Sequence, residues 1–445
     1  MPRLSLAMIV KNEAPSLGQA LASVRDLCDE LVVVDTGSTD GTPELAARLG
    51  ATVSTFPWTG SFAEARHASL ARCTGDWILL LDADEAVEGS DHGLIRAALE
   101  GPEAAHRLVH RHYFRSGTFL GLEGPAQRND TPYTLGREFP HYSDARSLRL
   151  FRRLPGLTFE GRMHALPDPW LERHGHAIGD LGAVVHHFGK TDLLREQAKA
   201  RPYFEMAVAD AAEHPDNSQY QYDLVQQALL AEEWEVALAA AEAHQRLRPR
   251  SPFVVIFGAG LALQRLGRHE EALPYFDSIL ASEPAHPAAL AASAESLWRL
   301  GRMDVAQARF SQALGADPGY SRTYLKLAEL LEADGLWEDA RLALEAGLDQ
   351  NPRDLSLWEV LVGRGAARKD ARVVRDAWNA LQQVPDGGQG IWHQMVIHTL
   401  IGRNEIQSAR EVLRRGLEAF PRHPELLALQ VRMGAGSGPH RIVRG

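Results

Sequence analysis

Residues 77–85 read WILLLDADE, an apolar run that ends in two carboxylates one residue apart. A strand that is apolar on both faces is typical of a parallel sheet with helices on either side. Ligands of such sheets bind beyond the carboxyl ends of the strands, where Asp82 and Asp84 follow this run. Residues i and i+2 of a strand point to the same side, so both carboxylates are predicted to face one crevice. The alternative is a solvated acidic turn that binds nothing.

The chain before this stretch alternates short apolar runs with helical patterns. The predicted strands are 4–10, 31–34, 52–56 and 77–81, and the predicted helices are 16–24, 43–49 and 62–72. Thr42 is the expected N-cap of the second helix, and Pro43 suits its first position. Strands that alternate with helices predict a Rossmann-like α/β domain with a mainly parallel sheet. Residues 86–190 are less regular, and their pattern predicts no strand order.

Polar residues also follow the first two predicted strands. Lys11, Asn12 and Glu13 follow the first strand, and residues 35–42, DTGSTDGT, follow the second. A carboxylate beside a glycine at a strand end can accept hydrogen bonds from a ribose or a base. Asp35, two residues before Gly37, is therefore a candidate for ligand contact. The alternative is a turn in which Asp35 only caps the next helix, and capping is the interpretation we favour for Asp40 and Thr42.

From about residue 200 the pattern changes to helices alone. Prolines recur about every 34 residues, at positions 215, 249, 284, 318, 352, 385 and 421. Most periods also hold a small residue (Ala237, Ala272, Ala306, Ala340, Ala409) and a turn glycine (Gly267, Gly301, Gly335, Gly402). Helices cross closely only where a side chain is small, so the pattern predicts stacked helix pairs. The pair near Pro385 fits least, with Val373 where alanine is expected, and residues 431–445 are predicted to be a disordered tail.

The composition excludes several classes of protein. The 445 residues are 45% hydrophobic and 24% charged, which excludes a disordered or fibrous chain. No apolar run of about 18 residues occurs, so no membrane-spanning helix is predicted. The net charge is -11 and neither half is basic, which excludes a nucleic-acid-binding domain. Cys28 and Cys73 are the only cysteines, so a disulfide scaffold is excluded and a reducing cytoplasm is expected.

Three motifs in chain order resemble the family 2 glycosyltransferases. They are residues 8–13 (MIVKNE), 32–42 (VVVDTGSTDGT) and 75–85 (GDWILLLDADE). Residues 145–190 resemble the later part of that domain more loosely. The helical part resembles the tetratricopeptide repeat, whose consensus is matched best by Gly260, Leu263, Ala272, Phe276 and Pro284. The combination is similar to a bacterial branch of the family that includes peptide S-glycosyltransferases.

This resemblance implies a GT-A domain over residues 1–195 and a tetratricopeptide-repeat domain over residues 196–430. It also implies inverting transfer from a nucleoside-diphosphate sugar, assisted by a divalent metal, Mn²⁺ or Mg²⁺. The donor-binding residues that it implies are Val10, Asn12, Glu13, Asp35, Gly37, Arg66, Asp82 and Ala83. Asp82 and Asp84 would form the metal and diphosphate motif, Asp84 would be catalytic, and His187 or His164 would be a further metal ligand.

Two positions depart from the family pattern, and one of them concerns the catalytic base. His67 stands where Asn usually follows the arginine at position 66. Ala165 stands where Glu often follows the histidine at position 164, so that glutamate is missing here. An inverting displacement still needs a group that takes the acceptor proton. Glu160 is the first candidate for this general base, with Asp144 and Glu138 as alternatives.

We therefore predict a metal-dependent inverting glycosyltransferase. Its donor would be a nucleoside-diphosphate sugar, UDP-linked in the first instance, and its acceptor a peptide, protein or glycan. The repeats would present the acceptor or bind a protein partner. The alternative is a protein-interaction scaffold with a vestigial nucleotide-sugar-binding domain, against which the intact Asp35, Asp82 and Asp84 argue. A nucleotidyltransferase would need a glycine-rich phosphate loop, which these strand ends lack.

Overall fold

The computed structural model describes residues 2–114, 127–139, 141–163, 165–189, 193–352, 354–368 and 406–419, and single residues at 373, 397, 426, 429 and 430. These residues form two compact units, one with the described residues up to Gln307 and one with those from Ala308 onward. His164 and the predicted disordered tail, 431–445, lie outside the described residues. None of the helices in the described part of the chain has the length and apolar character needed to cross a bilayer.

Four parallel strands form one side of the sheet. They are β1 (Leu4–Val10), β2 (Glu30–Asp35), β3 (Thr52–Thr55) and β4 (Trp77–Leu80), in the order β3-β2-β1-β4. The connecting helices are α1 (Ala14–Val24), α2 (Thr42–Arg48) and α3 (Phe62–Leu70). Even-numbered residues of β1 such as Leu6 pack into one buried core, and Ala7 packs into a second core on the other face. The predicted parallel sheet with two covered faces is confirmed.

The other side of the sheet is mixed. It contains β5 (Glu85–Val87), β6 (Ala105–Phe114), β7 (Gln127–Arg128), β8 (His141–Arg152) and β9 (Ile178–His187), with helices α4 (His92–Ala98) and α5 (Asp168–Arg173). The order continues from β4 as β8-β6-β9-β5. Strand β8 is antiparallel to both β4 and β6, whereas β9 is parallel to β6 and antiparallel to β5. Arginines and histidines interrupt the apolar pattern here, which is why the sequence predicted no strand order.

Thr42 begins helix α2 instead of capping it, so the predicted N-cap is wrong. Gly41 takes the cap position in a left-handed conformation, with φ of 83°, and this places Thr42 already inside the helix. The Thr42 hydroxyl donates to Asp40 Oδ1 at 2.5 Å and accepts the Glu13 N–H at 2.8 Å. Asp40 also accepts N–H groups at the start of two helices, from Thr42 of α2 and Ala14 of α1, as its predicted capping role requires.

From Leu193 onward, the described part of the chain contains helices and no strand. They are α6 (Leu193–Glu213), α7 (Ser218–Leu230), α8 (Trp234–Leu247), α9 (Phe253–Arg265), α10 (His269–Ser282), α11 (Pro287–Arg299), α12 (Met303–Ala316), α13 (Ser321–Ala333), α14 (Trp337–Gln350), α15 (Leu355–Ala367) and α16 (Ile406–Ala419). The repeating prolines from position 249 to position 352 each follow the second helix of a pair, and Pro215 follows α6. The alanines predicted at the helix crossings up to Ala340 are fully buried. The predicted helical-repeat class is confirmed, although Pro385, Gly402 and Pro421 lie outside the described residues.

The helix contact at Val373 has its small residue at a different position from the one predicted. A Cβ atom added to Gly365 of α15 would lie 2.6 Å from Cγ1 of Val373, closer than real contacts allow. The small residue at this contact is therefore Gly365, on the first helix, and the valine stands where alanine was expected.

Replacing Glu232 with glycine is expected to raise the free energy of unfolding by about 0.5–1 kcal/mol. Glu232 has φ of 59° in the turn between α7 and α8, where the next pair has Gly267 with φ of 74°. A residue with a Cβ atom is about 1–2 kcal/mol less stable than glycine in this backbone conformation. The stabilisation from glycine is partly offset, because glycine also increases the conformational entropy of the unfolded chain. Urea denaturation followed by circular dichroism measures the change.

The matched control is Gly267→Ala. No atom of the described residues lies within 4 Å of the added Cβ atom, so backbone strain is the only expected cost, about 1 kcal/mol. A less stable Glu232→Gly variant beside an unaffected Gly267→Ala variant would contradict this account of the turn.

Candidate active site

Asp82 and Asp84 lie in a turn, not in the extended strand that the i, i+2 argument assumed. Strand β4 ends at Leu80, and the Glu85 N–H donates to the Asp82 carbonyl at 3.1 Å to close the turn before β5. The prediction that β4 extends to Leu81 and aligns the two carboxylates is therefore wrong in its geometry. The turn sends Asp82 toward two arginines and Asp84 toward a histidine.

Asp82 is held by Arg66 and Arg149. Arg66 Nη2 donates to Asp82 Oδ1 at 3.2 Å, and Arg149 Nη1 lies 3.7 Å from Oδ2. Arg66 is buried in α3, and its Nη1 donates to the Ala165 carbonyl at 2.6 Å. Burial favours the neutral acid, but the charges of Arg66 and Arg149 prevail and hold the pKa of Asp82 below its usual range. The carboxyl end of β4 thus combines an ionised carboxylate with two guanidinium groups.

A β-bulge directs Arg149 into this cluster. The register between β6 and β8 moves from Leu150 to Leu148 at adjacent residues of β6, which leaves Arg149 as the extra residue. Its Nη2 donates to Glu85 Oε1 at 2.6 Å, and Glu85 is only 1% exposed. The Glu85 carboxylate also accepts the Asp82 N–H at 2.9 Å. Burial raises the pKa of Glu85, although the charge of Arg149 acts in the opposite direction.

Asp84 and His187 lie side by side. Asp84 Oδ1 is 3.7 Å from His187 Nε2, and the Asp84 carbonyl accepts the Phe188 N–H at 2.9 Å. A Cβ atom added to Gly189 would lie 2.5 Å from Asp84 Oδ2 and 2.6 Å from His187 Nε2. Only glycine permits this close approach of the backbone. The structure therefore brings together two of the predicted metal ligands.

Two histidines that the sequence analysis did not select also lie here. One nitrogen each of His110, His112 and His187 fall within 4.8 Å of one another. His112 pairs directly with His187 across β6 and β9, and His110 lies two residues earlier on the same face of β6. Two histidines at alternate positions of one strand could have indicated a metal site. The third histidine, His187, is 75 residues from His112 in the sequence, so the full set was not recognisable.

The carboxyl ends of β1 and β2 form a second group of candidate residues next to Asp82 in the sheet order, which we call the adjoining corner. Val10 pairs with Asp35 across β1 and β2, and Asn12 has a left-handed φ of 56°. The Asn12 N–H donates to Ser38 Oγ at 2.8 Å, which ties the two loops together. Asp35 is 4% exposed and accepts the Gly37 N–H at 3.0 Å. The Asp35 carboxylate thus holds its own turn, before α2 begins at Thr42, with further lone pairs left on its oxygens.

Residues 5–154 match the sequence model of the family Glycosyl transferase family 2. The N-terminal domain is a family 2 glycosyltransferase domain. Residues 257–321 and 301–364 match models of the tetratricopeptide repeat. The sequence prediction of this combination is confirmed.

Three relatives share parts of this chain. A TPR repeat-containing protein of Synechococcus elongatus is 33% identical over 225 residues, 49% of this chain and 50% of that protein. An uncharacterized glycosyltransferase of Rickettsia felis is 44% identical over 85 residues, 19% of this chain and 30% of that protein. The glycosyltransferase SunS of Bacillus subtilis is 26% identical over 174 residues, 37% of this chain and 35% of that protein. The chain spans half or less of the length of these relatives.

Other predicted residues of the glycosyltransferase domain lie apart from Asp84. The oxygens of Glu160 accept hydrogen bonds from both terminal nitrogens of Arg173. Asp144 accepts from Arg111 at 2.8 and 2.7 Å, and Glu138 is exposed. Within the described part of the chain, the structure does not bring these three carboxylates into contact with Asp82, Asp84 or His187.

The segment around Glu160 connects the glycosyltransferase domain to the first repeat helix. His67 Nε2 accepts the Phe159 N–H at 2.9 Å. The histidine that replaces the usual Asn thus holds the segment around Phe159. Arg162 Nη1 donates to Asp210 of α6 at 2.7 Å, and its Nη2 donates to Glu213 at 2.6 Å. Helix α6 therefore fixes the segment that also supplies the Ala165 carbonyl to Arg66.

Proposed function

We propose that this domain transfers a sugar from a nucleoside-diphosphate donor, UDP-linked in the first instance, to a peptide, protein or glycan, with inversion and with a divalent metal. The family 2 domain supports the reaction class. The observation that carries the proposal is the pair Asp84 and His187 beside the arginine-held Asp82 at the carboxyl end of β4. Ligands of parallel sheets bind at such strand ends.

The donor nucleoside is proposed to bind at the adjoining corner. Asp35 and Gly37 lie at the end of β2, and Val10, Asn12 and Glu13 lie at the end of β1. Because Asn12 and Ser38 join the two loops, this corner is ordered before a ligand arrives. A site that is ordered before binding loses less conformational entropy when the ligand binds.

The diphosphate is proposed to lie between that corner and Asp84. Arg66 and Arg149 supply buried positive charge near Ala83 and Asp82, and guanidinium groups suit phosphate oxygens. Asp84 and His187 offer one oxygen and one nitrogen donor, which fits Mn²⁺ and also accommodates Mg²⁺. A divalent ion bound there would stabilise the negative charge on the departing diphosphate. Asp82 would position the arginines as well as contribute its own charge.

The acceptor proton requires a base, and Glu160 keeps this role in the proposal. Both of its oxygens contact Arg173, so acceptor binding would have to release one of them. A thiol acceptor would need less help, because a thiol ionises more readily than a hydroxyl. The buried, separate Cys28 and Cys73 fit a reducing cytoplasm as the site of this reaction.

UDP is expected to bind at least about tenfold more weakly after the metal is removed. The reason is that Asp82 and Asp84 add negative charge next to the diphosphate, which a divalent ion would offset. Isothermal titration of UDP into the full chain, with Mn²⁺ or with EDTA, measures the difference. Equal affinity in both buffers would refute the metal role. No UDP binding in either buffer would favour the alternative, a protein-interaction scaffold with a vestigial domain.

A chain that ends at residue 249 is expected to bind UDP like the full chain but to transfer sugar to its acceptors about tenfold or more slowly. It keeps Asp210 and Glu213, which hold Arg162, and Tyr220, which lies against Gly161. It loses the later repeats, which are proposed to present the acceptor and raise its local concentration. Incorporation of a labelled sugar in a cell extract measures transfer.

The comparison is a chain that ends at residue 195, the predicted domain boundary. It loses Asp210, which holds Arg162, and Tyr203, whose ring packs against Phe62, so it is expected to unfold at a lower temperature. Unchanged transfer by a well-folded chain ending at 249 would show that the later repeats do not present the acceptor.

A further inference from the structure

We infer that His110, His112 and His187 form a binding site for a transition metal ion of the Zn²⁺ class, with nitrogen ligands and with Asp84 and Glu85 as supporting carboxylates. This site shares His187 with the proposed donor site at Asp84, and it adds His110 and His112, which that site does not use. The inference does not rest on glycosyl transfer, because it concerns binding of an ion in the absence of any nucleotide.

The backbone places the three imidazoles on one surface. Strands β6 and β9 run parallel, and their register sets His112 opposite His187. His110 precedes His112 by two residues and therefore projects from the same face. The next strand continues this row, because Glu85 of β5 lies opposite His187. Strand pairing, which many hydrogen bonds maintain, therefore holds the ligands in place without any ion.

The distances suit a tetrahedral ion after small side-chain rotations. The ligand atoms of the three histidines lie within 4.8 Å of one another, and His112 Nδ1 is 2.7 Å from His187 Nδ1. Zinc–nitrogen bonds of about 2.0–2.1 Å place the nitrogens of a tetrahedral site roughly 3.3 Å apart. The observed nitrogen–nitrogen distances, from 2.7 Å to at most 4.8 Å, lie on both sides of about 3.3 Å. An ion would replace the hydrogen bond between His112 and His187 and draw His110 slightly closer.

His110 and His187 each face a carboxylate, one of the groups to which metal-binding histidines donate their second N–H. His187 directs Nδ1 toward His112 and Nε2 toward Asp84 Oδ1, 3.7 Å away. A ring that ligates through Nδ1 keeps its proton on Nε2, and Asp84 would accept this proton once a small rotation closes the 3.7 Å gap to hydrogen-bond distance. His110 Nε2 lies 2.7 Å from Glu85 Oε1, and Arg149 fixes that carboxylate in turn. Such partners orient the ring and increase the basicity of the ligand.

The ligand set also determines which ions bind. Three neutral imidazoles suit Zn²⁺, Co²⁺, Ni²⁺ and Cu²⁺ more than Mg²⁺ or Ca²⁺, which prefer oxygen. Three protein ligands leave a fourth position for water or another small ligand. A neutral imidazole has one lone pair, so His187 can serve this ion or an ion at Asp84, but not both at once. The two kinds of ion are therefore expected to compete for His187.

Cobalt titration of the full chain tests this inference directly. Protein treated with EDTA and then dialysed is titrated with CoCl₂ without nucleotide, and the visible absorption of four-coordinate Co²⁺ is recorded. One equivalent of Co²⁺ is expected to give this band, and Zn²⁺ but not Mg²⁺ is expected to abolish it. His112→Ala should weaken Co²⁺ binding at least about 100-fold, whereas His214→Ala, an exposed histidine at the end of α6, should not change it.

His110→Asn provides a second variant in case His112→Ala does not fold, and circular dichroism verifies folding of each. The absence of a four-coordinate band from the wild type, or an unchanged band in both folded cluster variants, would overturn the inference. UDP titration with Mn²⁺ on the same samples separates the two proposals. Normal UDP binding without a cobalt band removes only the histidine site, and a cobalt band without UDP binding removes only the proposed donor site.

Discussion

Replacing Arg149 with methionine is expected to lower the free energy of unfolding of the unit that contains the sheet by about 3–5 kcal/mol. Arg149 is 5% exposed and Glu85 is 1% exposed, and their side chains are joined at 2.6 Å. Without the guanidinium group, a protonated His110 would be the only cation among the described residues that contacts the buried Glu85 carboxyl. A buried charge without its partner lowers the free energy of unfolding by far more than the intact pair raises it.

The measurement is the denaturation midpoint and slope in urea, followed by tryptophan fluorescence and circular dichroism. Arg146→Met serves as the control, because Arg146 lies on the same strand but is exposed, and a loss below about 1 kcal/mol is expected there. The double variant Arg149→Met, Glu85→Leu should recover part of the lost stability, since it removes both charges. A loss below about 1 kcal/mol in Arg149→Met would show that Glu85 does not depend on Arg149.

Replacing Asp84 with asparagine is expected to reduce sugar transfer and donor hydrolysis by about 10²–10³-fold or more while the fold is retained. Asparagine has the same shape and keeps the backbone bond from the Phe188 N–H to the carbonyl of residue 84. It removes the negative charge beside His187 that is proposed to bind the ion facing the diphosphate. Stabilisation of the leaving group would be lost, whereas packing would change little.

The assay measures the initial rate over a panel of nucleotide sugars with Mn²⁺, and the melting temperature reports on the fold. Asp76→Asn is the matched control, because Asp76 lies exposed before the opposite end of the same strand. Its carboxylate accepts the Arg3 N–H, so a small loss of stability with normal activity is expected. An Asp84→Asn variant with more than about a tenth of the wild-type rate would remove Asp84 from the proposed mechanism.

Local patterns in the sequence were sufficient to predict the repeats and the first half of the sheet. A proline about every 34 residues, with a small residue at each crossing, predicts helix pairs because the pattern repeats many times. The first four strands were readable because strands buried on both faces are apolar throughout. The strand-end rule then selected Asp35, Asp82 and Asp84 without knowledge of any contact. The resemblance to family 2 enzymes added His187, which lies beside Asp84.

Contacts that depend on register could not be predicted in this way. Arg149 reaches Glu85 because one extra residue bulges from β8, and a bulge leaves no periodic signal in the chain. His112 meets His187 because β6 and β9 pair in one particular register, and a shift of one residue would turn the side chains to opposite faces. The turn at Asp82 and the engagement of Glu160 by Arg173 likewise arise from packing.

The sequence by itself thus determined the two kinds of architecture in this protein and the carboxyl ends of the strands at which a ligand site lies. The tertiary structure alone decided which charges meet there: Arg66 and Arg149 with Asp82, Glu85 with Arg149, and three histidines from two strands. The physical reason is the range of each signal. Strand and helix patterns are local along the chain, whereas these contacts depend on pairing between segments that are distant in sequence.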